Sequence, residues 1–150
     1  MNEEQLVKKT ILFLMLASIS TASLARNDVD DYSVEEAMSI EKISSAIGDE
    51  VAFYFAGQDH AQVEKKFGEF QSNKKTNAFA KSDKEACQWA FASAMKTFRK
   101  RAVKEGGNAV INIRSNYKGE MTASSTTFQC GAGAMIAGVT LVGDVVKLKK

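Results

Sequence analysis

The chain has 150 residues, of which 45% are hydrophobic and 25% are charged, and this balance is typical of a single globular domain. Its formal net charge of +2 gives no support for an extended basic surface that would bind nucleic acid. Proline is absent, so turns must be formed by Gly, Asn, Asp and Ser.

Residues 1–25 have the features of a signal peptide. Lys8 and Lys9 precede the apolar run TILFLMLASIS, and SLA at 23–25 places small residues at the positions that signal peptidase reads. The run is shorter than the roughly 20 residues that a membrane-spanning helix needs. We therefore predict cleavage after Ala25, a periplasmic or secreted location, and a mature chain, residues 26–150, without a membrane span.

The mature chain begins with a polar segment at 26–33, and a short helix is predicted after it. In SVEEAMSIEKISSAIG, Ser33 and Glu36 have the spacing of a capping box, and Gly48 ends the pattern. The apolar residues between them recur at helical spacing. This segment is predicted to be an N-terminal helix that lies on the rest of the domain.

A strand and an irregular region follow. VAFYF at 51–55 is rich in aromatic residues and predicts a strand that ends before Gly57. From 58 to 80 the pattern is irregular, with GEF at 68–70 indicating a short strand and SNKKTN at 72–77 a polar turn.

The clearest predicted element is a long helix that begins after Ser82. Ser82 and Glu85 form a second capping box, and Asp83 lies at the positive end of the helix dipole. Gly106 and Gly107 end the helix. Apolar residues at i, i+3 and i+4 spacing predict a face that covers a sheet. These residues are Cys87, Ala90, Phe91, Ala94, Met95, Phe98 and Ala102.

Three strands are predicted after this helix, at 109–115, 122–130 and 134–148. The last is interrupted by Gly138 and Gly143, where bulges or bends are expected. In the first strand three residues are expected on one side: Ala109, Ile111 and Ile113. Together the elements predict a single α+β domain, in which one long helix packs on a mainly antiparallel sheet.

The stretch CGAGAMIAG at 130–138 raises the question of a phosphate-binding loop. Gly133 and Gly138 have the glycine spacing of a P-loop, but Val139 occupies the position of the required lysine. A dinucleotide-binding loop would need glycine in place of Ile136, and a helix after it. We interpret the glycines as part of a hairpin between antiparallel strands, and we predict no cofactor.

Cys87 and Cys130 are the only cysteines of the chain. In a small exported domain a disulfide is the favoured interpretation, with two buried, unpaired thiols as the alternative. The pair is too far apart for a CxxC motif, and with His60 as the only histidine it cannot complete a structural zinc set. A bridge would close a loop of about 43 residues, worth on the order of 4 kcal/mol.

No combination of residues predicts catalysis. The cysteines are better paired with each other, and His60 is the single histidine, so no Ser-His-Asp or Cys-His system is indicated. His60, in GQDHAQ, is interpreted as a surface loop residue, and it is also a weak candidate for metal binding or pH sensing. We therefore predict that the protein is not an enzyme.

Two features of the long helix are candidates for an interface. Its C-terminal half carries a basic patch, which is either an ordinary solvated surface or a contact for anionic lipid or polysaccharide. The patch consists of Lys96, Arg99, Lys100, Arg101 and Lys104. Trp89 lies roughly opposite the centre of the apolar stripe, where it either anchors a partner or is covered by the N-terminal helix.

The sequence resembles a group of small exported bacterial proteins that carry the label excinuclease ATPase subunit. The motifs that carry the resemblance are FYFAGQ, GEFQSNKKTNAFAKSDKEACQWAF, GGNAVINI and SSTTFQCGAGAMIAGVTLVGDVVKL, which together span most of the mature chain. More distantly, residues 82–148 are similar to the YbjQ-like domains, which are labelled heavy-metal binding, and to the Rcs outer-membrane stress-sensing lipoprotein. The ATPase signature of the first label is missing, and no ligand cluster matches the second.

The resemblance implies a helix on a mainly antiparallel sheet, ring oligomers as in the YbjQ-like relatives, and disulfides as in the Rcs lipoprotein, to which Cys87 and Cys130 would correspond. No lipid-acceptor cysteine follows the leader, so tethering as in the lipoprotein is not expected. The leading hypothesis is a non-enzymatic periplasmic protein that serves as an envelope-stress or protein-interaction module. The alternative is a protein that binds a small molecule or metal near the hairpin and His60. An ATP-dependent excinuclease component is the remote alternative.

Overall fold

The structure is a computed structural model that describes residues 2–3 and 26–150. The apolar run of the predicted signal peptide and the cleavage site after Ala25 lie outside the described residues. None of the described helices is long and apolar enough to cross a membrane.

Residues 26–150 form a mixed α/β fold with a seven-stranded sheet and three helices. In chain order the elements are β1 (Asp28–Ser33), α1 (Val34–Ser39), α2 (Glu41–Ile47), β2 (Ala52–Phe55), β3 (Val63–Asn77), α3 (Asp83–Glu105), β4 (Ala109–Tyr117), β5 (Glu120–Thr122), β6 (Thr127–Ala132) and β7 (Ile136–Leu148).

The C-terminal strand β7 organises the sheet. On one side it pairs with β3 along its whole length, and on the other it pairs first with β6 and then with β4. β1 extends the sheet beyond β6, while β2 and β5 pair with β4. Only the pair between β2 and β4 is parallel among the described strands, so the sheet is mainly antiparallel.

The helix α3 packs on one face of this sheet, which we call the covered face. Its ends are set by local caps, because the Ser82 hydroxyl accepts a hydrogen bond from the Glu85 amide at 3.1 Å and Gly106 is left-handed with φ 82°. The predicted apolar stripe is buried, and Phe91 stacks on Phe128 of β6 with 4.3 Å between ring centroids. We call the opposite face, on which no described helix packs, the open face.

The N-terminal segment differs from its prediction. Residues 28–33 of the polar segment form β1, which pairs antiparallel with β6 from Asp28 opposite Ala132 to Ser33 opposite Thr127. Backbone hydrogen bonds hold this strand at the sheet edge, and its acidic side chains stay in water. The sequence therefore has no apolar alternation that would predict a strand.

The predicted N-terminal helix is two helices. Ser33 caps the first as expected, but Ile40 leaves the helical conformation with ψ 113° and begins a change of direction. The break allows Ala37 of α1 and Ile43 of α2 to be buried in the same core. One straight helix would not place both residues there.

The region around 58–80 was wrongly predicted as irregular with a polar turn. β3 is one strand of 15 residues, and SNKKTN at 72–77 pairs regularly with β7. The alternating pattern of a strand is obscured because β3 is an edge strand with many exposed residues. In addition, the buried residue Ser72 is polar, and its hydroxyl donates a hydrogen bond to the Ala94 carbonyl at 3.1 Å. Register shifts between Val63 and Gly68 break its alternation further.

The bulge expected at the glycines of β7 lies instead in β4. The register shifts between Ile111 and Arg114, where Asn112 has φ 52°. As a result Val110 and Ile113 enter the main core, whereas Ala109 and Ile111 belong to a separate cluster with Val146. The prediction that Ala109, Ile111 and Ile113 share one side is therefore wrong.

The strand predicted at 122–130 is shorter at its start. β5 ends at Thr122, β6 begins at Thr127, and the Ser124 hydroxyl accepts a hydrogen bond from the Thr127 amide at 3.0 Å. Serine side chains commonly stabilise a turn in this way. A turn therefore replaces the first residues of the predicted strand.

Candidate functional site

The two cysteines form a disulfide that joins α3 to β6. Cys87 and Cys130 lie with their Cα atoms 5.8 Å apart, and both residues are fully buried. The favoured interpretation from the sequence is confirmed, and the alternative of two unpaired thiols is wrong. Because both sulfurs are committed to this bridge, the cysteines serve structure.

The glycines of the β6–β7 hairpin form the floor of a cleft on the open face. Gly131 of β6 lies opposite Gly138 of β7. The row of paired residues across the sheet continues to Val29 of β1 on one side and to Lys75 of β3 on the other. Two adjacent strands therefore carry no side chain at the middle of this row. A cleft of about 550 Å³ lies over the gap.

Tyr117 lies in this gap. A Cβ atom added at Gly131 would collide with the Tyr117 hydroxyl, and one added at Gly138 would lie 3.9 Å from the ring. The hydroxyl donates a hydrogen bond to the Asn27 side-chain oxygen at 2.9 Å, which holds the ring across β6. The glycines thus serve the hairpin, as predicted, and they also make room for an aromatic ring.

The charged residues that line the cleft are all basic. Lys75 comes from β3, Lys118 follows β4, and Arg26 precedes β1, while no Asp or Glu is among the described lining residues. Arg26 is compensated by ion pairs with Asp28 and Asp83. The hydrogen bond with Asp28 and the charge of Asp83 raise the pKa of Arg26 above its usual value.

Lys75 and Lys118 are the other two cations of the cleft lining, and neither takes part in these ion pairs. Both residues are exposed, and the Lys118 Nζ atom lies 5.7 Å from the centroid of the Tyr117 ring. Asn73 and Thr140 add neutral hydrogen-bonding groups to the lining. The polar end of the cleft is therefore suited to a negatively charged group.

An apolar rim borders the cleft. It consists of Met135 and Ile136, whose surfaces are 59% and 55% exposed. The Ala78 amide donates to the Met135 carbonyl at 2.9 Å, which brings the end of β3 against the hairpin. Large apolar side chains that stay exposed together are typical of a contact surface.

His60 is far from this cleft. It precedes β3, whose first residue Val63 pairs with Leu148, whereas the hairpin lies at the other end of β7. The exposed His60 ring packs at 5.6 Å from the Tyr54 ring centroid, and Nδ1 lies 2.8 Å from the Ala61 carbonyl oxygen. Within the described residues, no group of three or more His, Cys, Asp or Glu side chains is placed to hold a metal. The structure does not unite the hairpin and His60 in one site.

The predicted basic patch is divided between two sets of residues. Lys96, Lys100 and Lys104 are exposed and spaced four residues apart along α3, so they form one lysine stripe. Trp89, on the same helix, is half-buried and packs against the main core. Trp89 therefore does not point fully outward from α3, because part of its side chain packs on the core.

The two arginines of the patch lie on other contacts. Arg99 Nε lies 3.4 Å from a Glu50 carboxylate oxygen. The Arg101 guanidinium lies over the Phe70 ring at 4.7 Å and pairs with Glu105 at 3.3 Å. These arginines connect α3 to neighbouring elements, and the lysine stripe is what remains for an external partner.

Polar side chains cover another part of the open face. Arg114 pairs with Glu69 at 2.6 Å, and Asn116 donates a hydrogen bond to Gln71 at 2.9 Å. Asp144 of β7 is buried beneath this layer. Its Oδ1 atom lies 3.2 Å from the Lys66 ammonium but outside hydrogen-bonding geometry, and it accepts no hydrogen bond from the described residues.

Comparison with known proteins does not assign a function. No family model matches the chain, and no curated protein matches it. Function must therefore be inferred from the geometry of the described residues.

The residues of the cleft were not indicated as site residues by the sequence. Asn27 is separated from Tyr117 by 90 residues, and only the pairing of β1 with β6, of β6 with β7 and of β7 with β4 brings it to Tyr117 and Lys118. One local signal was present, since Met135 and Ile136 are large apolar residues in a hairpin turn, where polar residues are usual.

Proposed function

We propose that the protein is a non-enzymatic interaction module of the bacterial envelope, which binds partners through the two edges of its sheet. The observation that carries this proposal is the opposite charge of those edges. β1 carries Asp28, Asp30 and Asp31, and β3 carries Lys74 and Lys75 opposite the same part of β7 and β6. Among the described strands, β1 pairs only with β6 and β3 only with β7.

The strand directions support pairing between copies of the chain. β3, β7, β6 and β1 alternate in direction across the sheet. If β1 of one copy lay beside β3 of another, the pair would be antiparallel and would continue this alternation. An acidic strand would then face a basic one, which favours a head-to-tail homo-oligomer. β-strand addition to an exposed edge is a common mode of recognition.

The disulfide supports the exported location, because such bonds persist in oxidising compartments. The arrangement of α3 on a mainly antiparallel sheet supports the proposed relationship to the YbjQ-like domains and to the Rcs lipoprotein. The ATPase alternative finds no support, since the strand β7 follows the glycines and Val139 is buried in the core.

Sedimentation velocity over a range of concentrations tests the proposal. We expect the mature chain to associate, and we expect Asp30→Lys and Lys74→Glu each to dissociate the assembly, because each reversal places like charges at the junction. Mixing the two variants should restore association, since every junction then regains opposite charges. Lys96→Glu, a reversal on α3, serves as the control. A chain that stays monomeric, or an assembly that is insensitive to both reversals, would contradict edge pairing.

A second candidate function is small-molecule binding, the alternative given by the sequence. The cleft over Gly131 and Gly138 favours it, because its volume of about 550 Å³ is within the usual range of ligand sites. The described residues offer no ligand set for the metal-binding form of this alternative.

A further inference from the structure

The cleft continues into a shallower hollow at the hairpin. The hollow measures about 420 Å³, and it shares Lys75, Met135 and Ile136 with the cleft. The two depressions therefore form one surface with different ends. Lys75, Met135 and Ile136 line both depressions, whereas Lys118, Asn27 and Asn73 line only the cleft.

The polar end is suited to a single anionic group. Lys75 of β3 and Lys118, which follows β4, both line the cleft, and no carboxylate among the described lining residues competes for them. The Tyr117 ring fills the gap above Gly131, so a ligand would lie beside this ring over Gly138, where an added Cβ would meet no atom closer than 3.6 Å. An acid group bound here would form charge-assisted hydrogen bonds, which are stronger than neutral ones.

The apolar end is suited to a flexible hydrocarbon chain. Met135 and Ile136 expose more than half of their surfaces beside the hollow. Methionine adapts its shape to apolar ligands, and burial of each methylene group contributes roughly 0.8 kcal/mol. Contact of these apolar side chains with water is unfavourable, and a bound hydrocarbon chain would exclude water from them.

We propose that this combined surface binds a single-chain anionic amphiphile. Its carboxylate or phosphate head would lie between Lys75 and Lys118, and its hydrocarbon chain would cross Met135 and Ile136. A bare inorganic anion would leave the apolar end unused, and a neutral or cationic amphiphile would leave the lysines unpaired. The inference rests on the second candidate function and gives its ligand class, and it does not depend on pairing of the sheet edges.

Calorimetric titration below the critical micelle concentration tests the ligand class. The mature chain is titrated with dodecanoate and with dodecyl phosphate, which separate the two sources of the anionic head. Dodecyltrimethylammonium, dodecyl maltoside and inorganic phosphate are the controls. We expect saturable binding of one or both anionic amphiphiles, and markedly weaker binding of all three controls.

Substitutions locate the site. Lys75→Gln and Lys118→Gln should each weaken binding about three- to tenfold, the range expected for a partly solvated charge pair. Met135→Ser should reduce the gain in affinity between octanoate and dodecanoate. Gly138→Ala should raise the floor of the cleft and weaken binding, and the added Cβ meets its nearest atom at 3.6 Å, so the fold is expected to tolerate it. Lys96→Gln on α3 is the matched control.

Several results would overturn the inference. One is the absence of saturable binding to either anionic amphiphile; another is equal binding of the cationic one. Affinity that is unchanged by Lys75→Gln and Lys118→Gln, or lowered equally by Lys96→Gln, would also overturn it. The titration is repeated on Asp30→Lys, whose sedimentation reports edge pairing, so failure of ligand binding is distinguished from failure of association.

Discussion

The two faces of β7 have different compositions although they belong to one strand. Toward α3 the strand presents Ala137, Val139, Leu141 and Val145, which are all fully buried in one apolar core. Toward the open face the alternating positions include a glycine, a threonine and an aspartate that are also buried: Gly138, Thr140 and Asp144. The covered face is therefore apolar at these positions, whereas the open face includes polar groups whose burial costs free energy.

The largest expected effect is on the covered face. Replacing both cysteines in Cys87→Ser/Cys130→Ser should lower the free energy of unfolding by about 4 kcal/mol, because the bridge closes a loop with a sequence separation of 43. Urea unfolding of the oxidised chain and of the double variant measures the difference. Reduction of the unmodified chain should lower stability in the same direction. Equal stability of oxidised and reduced chains would show that the bridge contributes nothing to the fold.

A smaller effect is expected at the floor of the cleft. Gly131→Ala should cost about 1–3 kcal/mol, because the added methyl group displaces the Tyr117 ring and its hydrogen bond to Asn27. In a double-mutant cycle, the cost should largely disappear when Tyr117→Ala is already present. Gly138→Ala is the control, since its Cβ meets ordinary contacts. Equal costs with and without Tyr117 would contradict the proposed packing.

The smallest expected effect has the opposite sign. Asp144→Val should raise the free energy of unfolding by about 1 kcal/mol, because it removes a buried carboxylate whose Oδ1 atom lacks a hydrogen bond within the described residues. Lys66→Met should lower stability, since it removes the ion pair at 3.2 Å and leaves the carboxylate alone. Thermal unfolding of both variants checks the signs. A destabilised Asp144→Val would mean that the carboxylate supports the fold.

The sequence predicts best where local contacts decide the structure. α3 has the predicted start and end because Ser82 and Gly106 cap it within a few residues, and its buried stripe follows from helical geometry. The disulfide was also predictable, since a predicted signal peptide and a single pair of cysteines leave few alternatives.

The sequence predicts least where distant strands decide the structure. β1 is acidic and β3 contains SNKKTN, so neither has a strand pattern, and both are held by backbone pairing to strands far along the chain. The phase of β4 changes at Asn112, whose positive φ no periodicity indicates. The cleft depends on Tyr117 lying across Gly131, a contact that only the assembled sheet creates.

The position of β7 in the chain has a consequence for when folding occurs. It is the last strand in chain order, yet β3, β4 and β6 all pair with it and α3 packs on it. A polypeptide that is threaded through a translocation pore can therefore complete this sheet only after residues 136–148 have emerged.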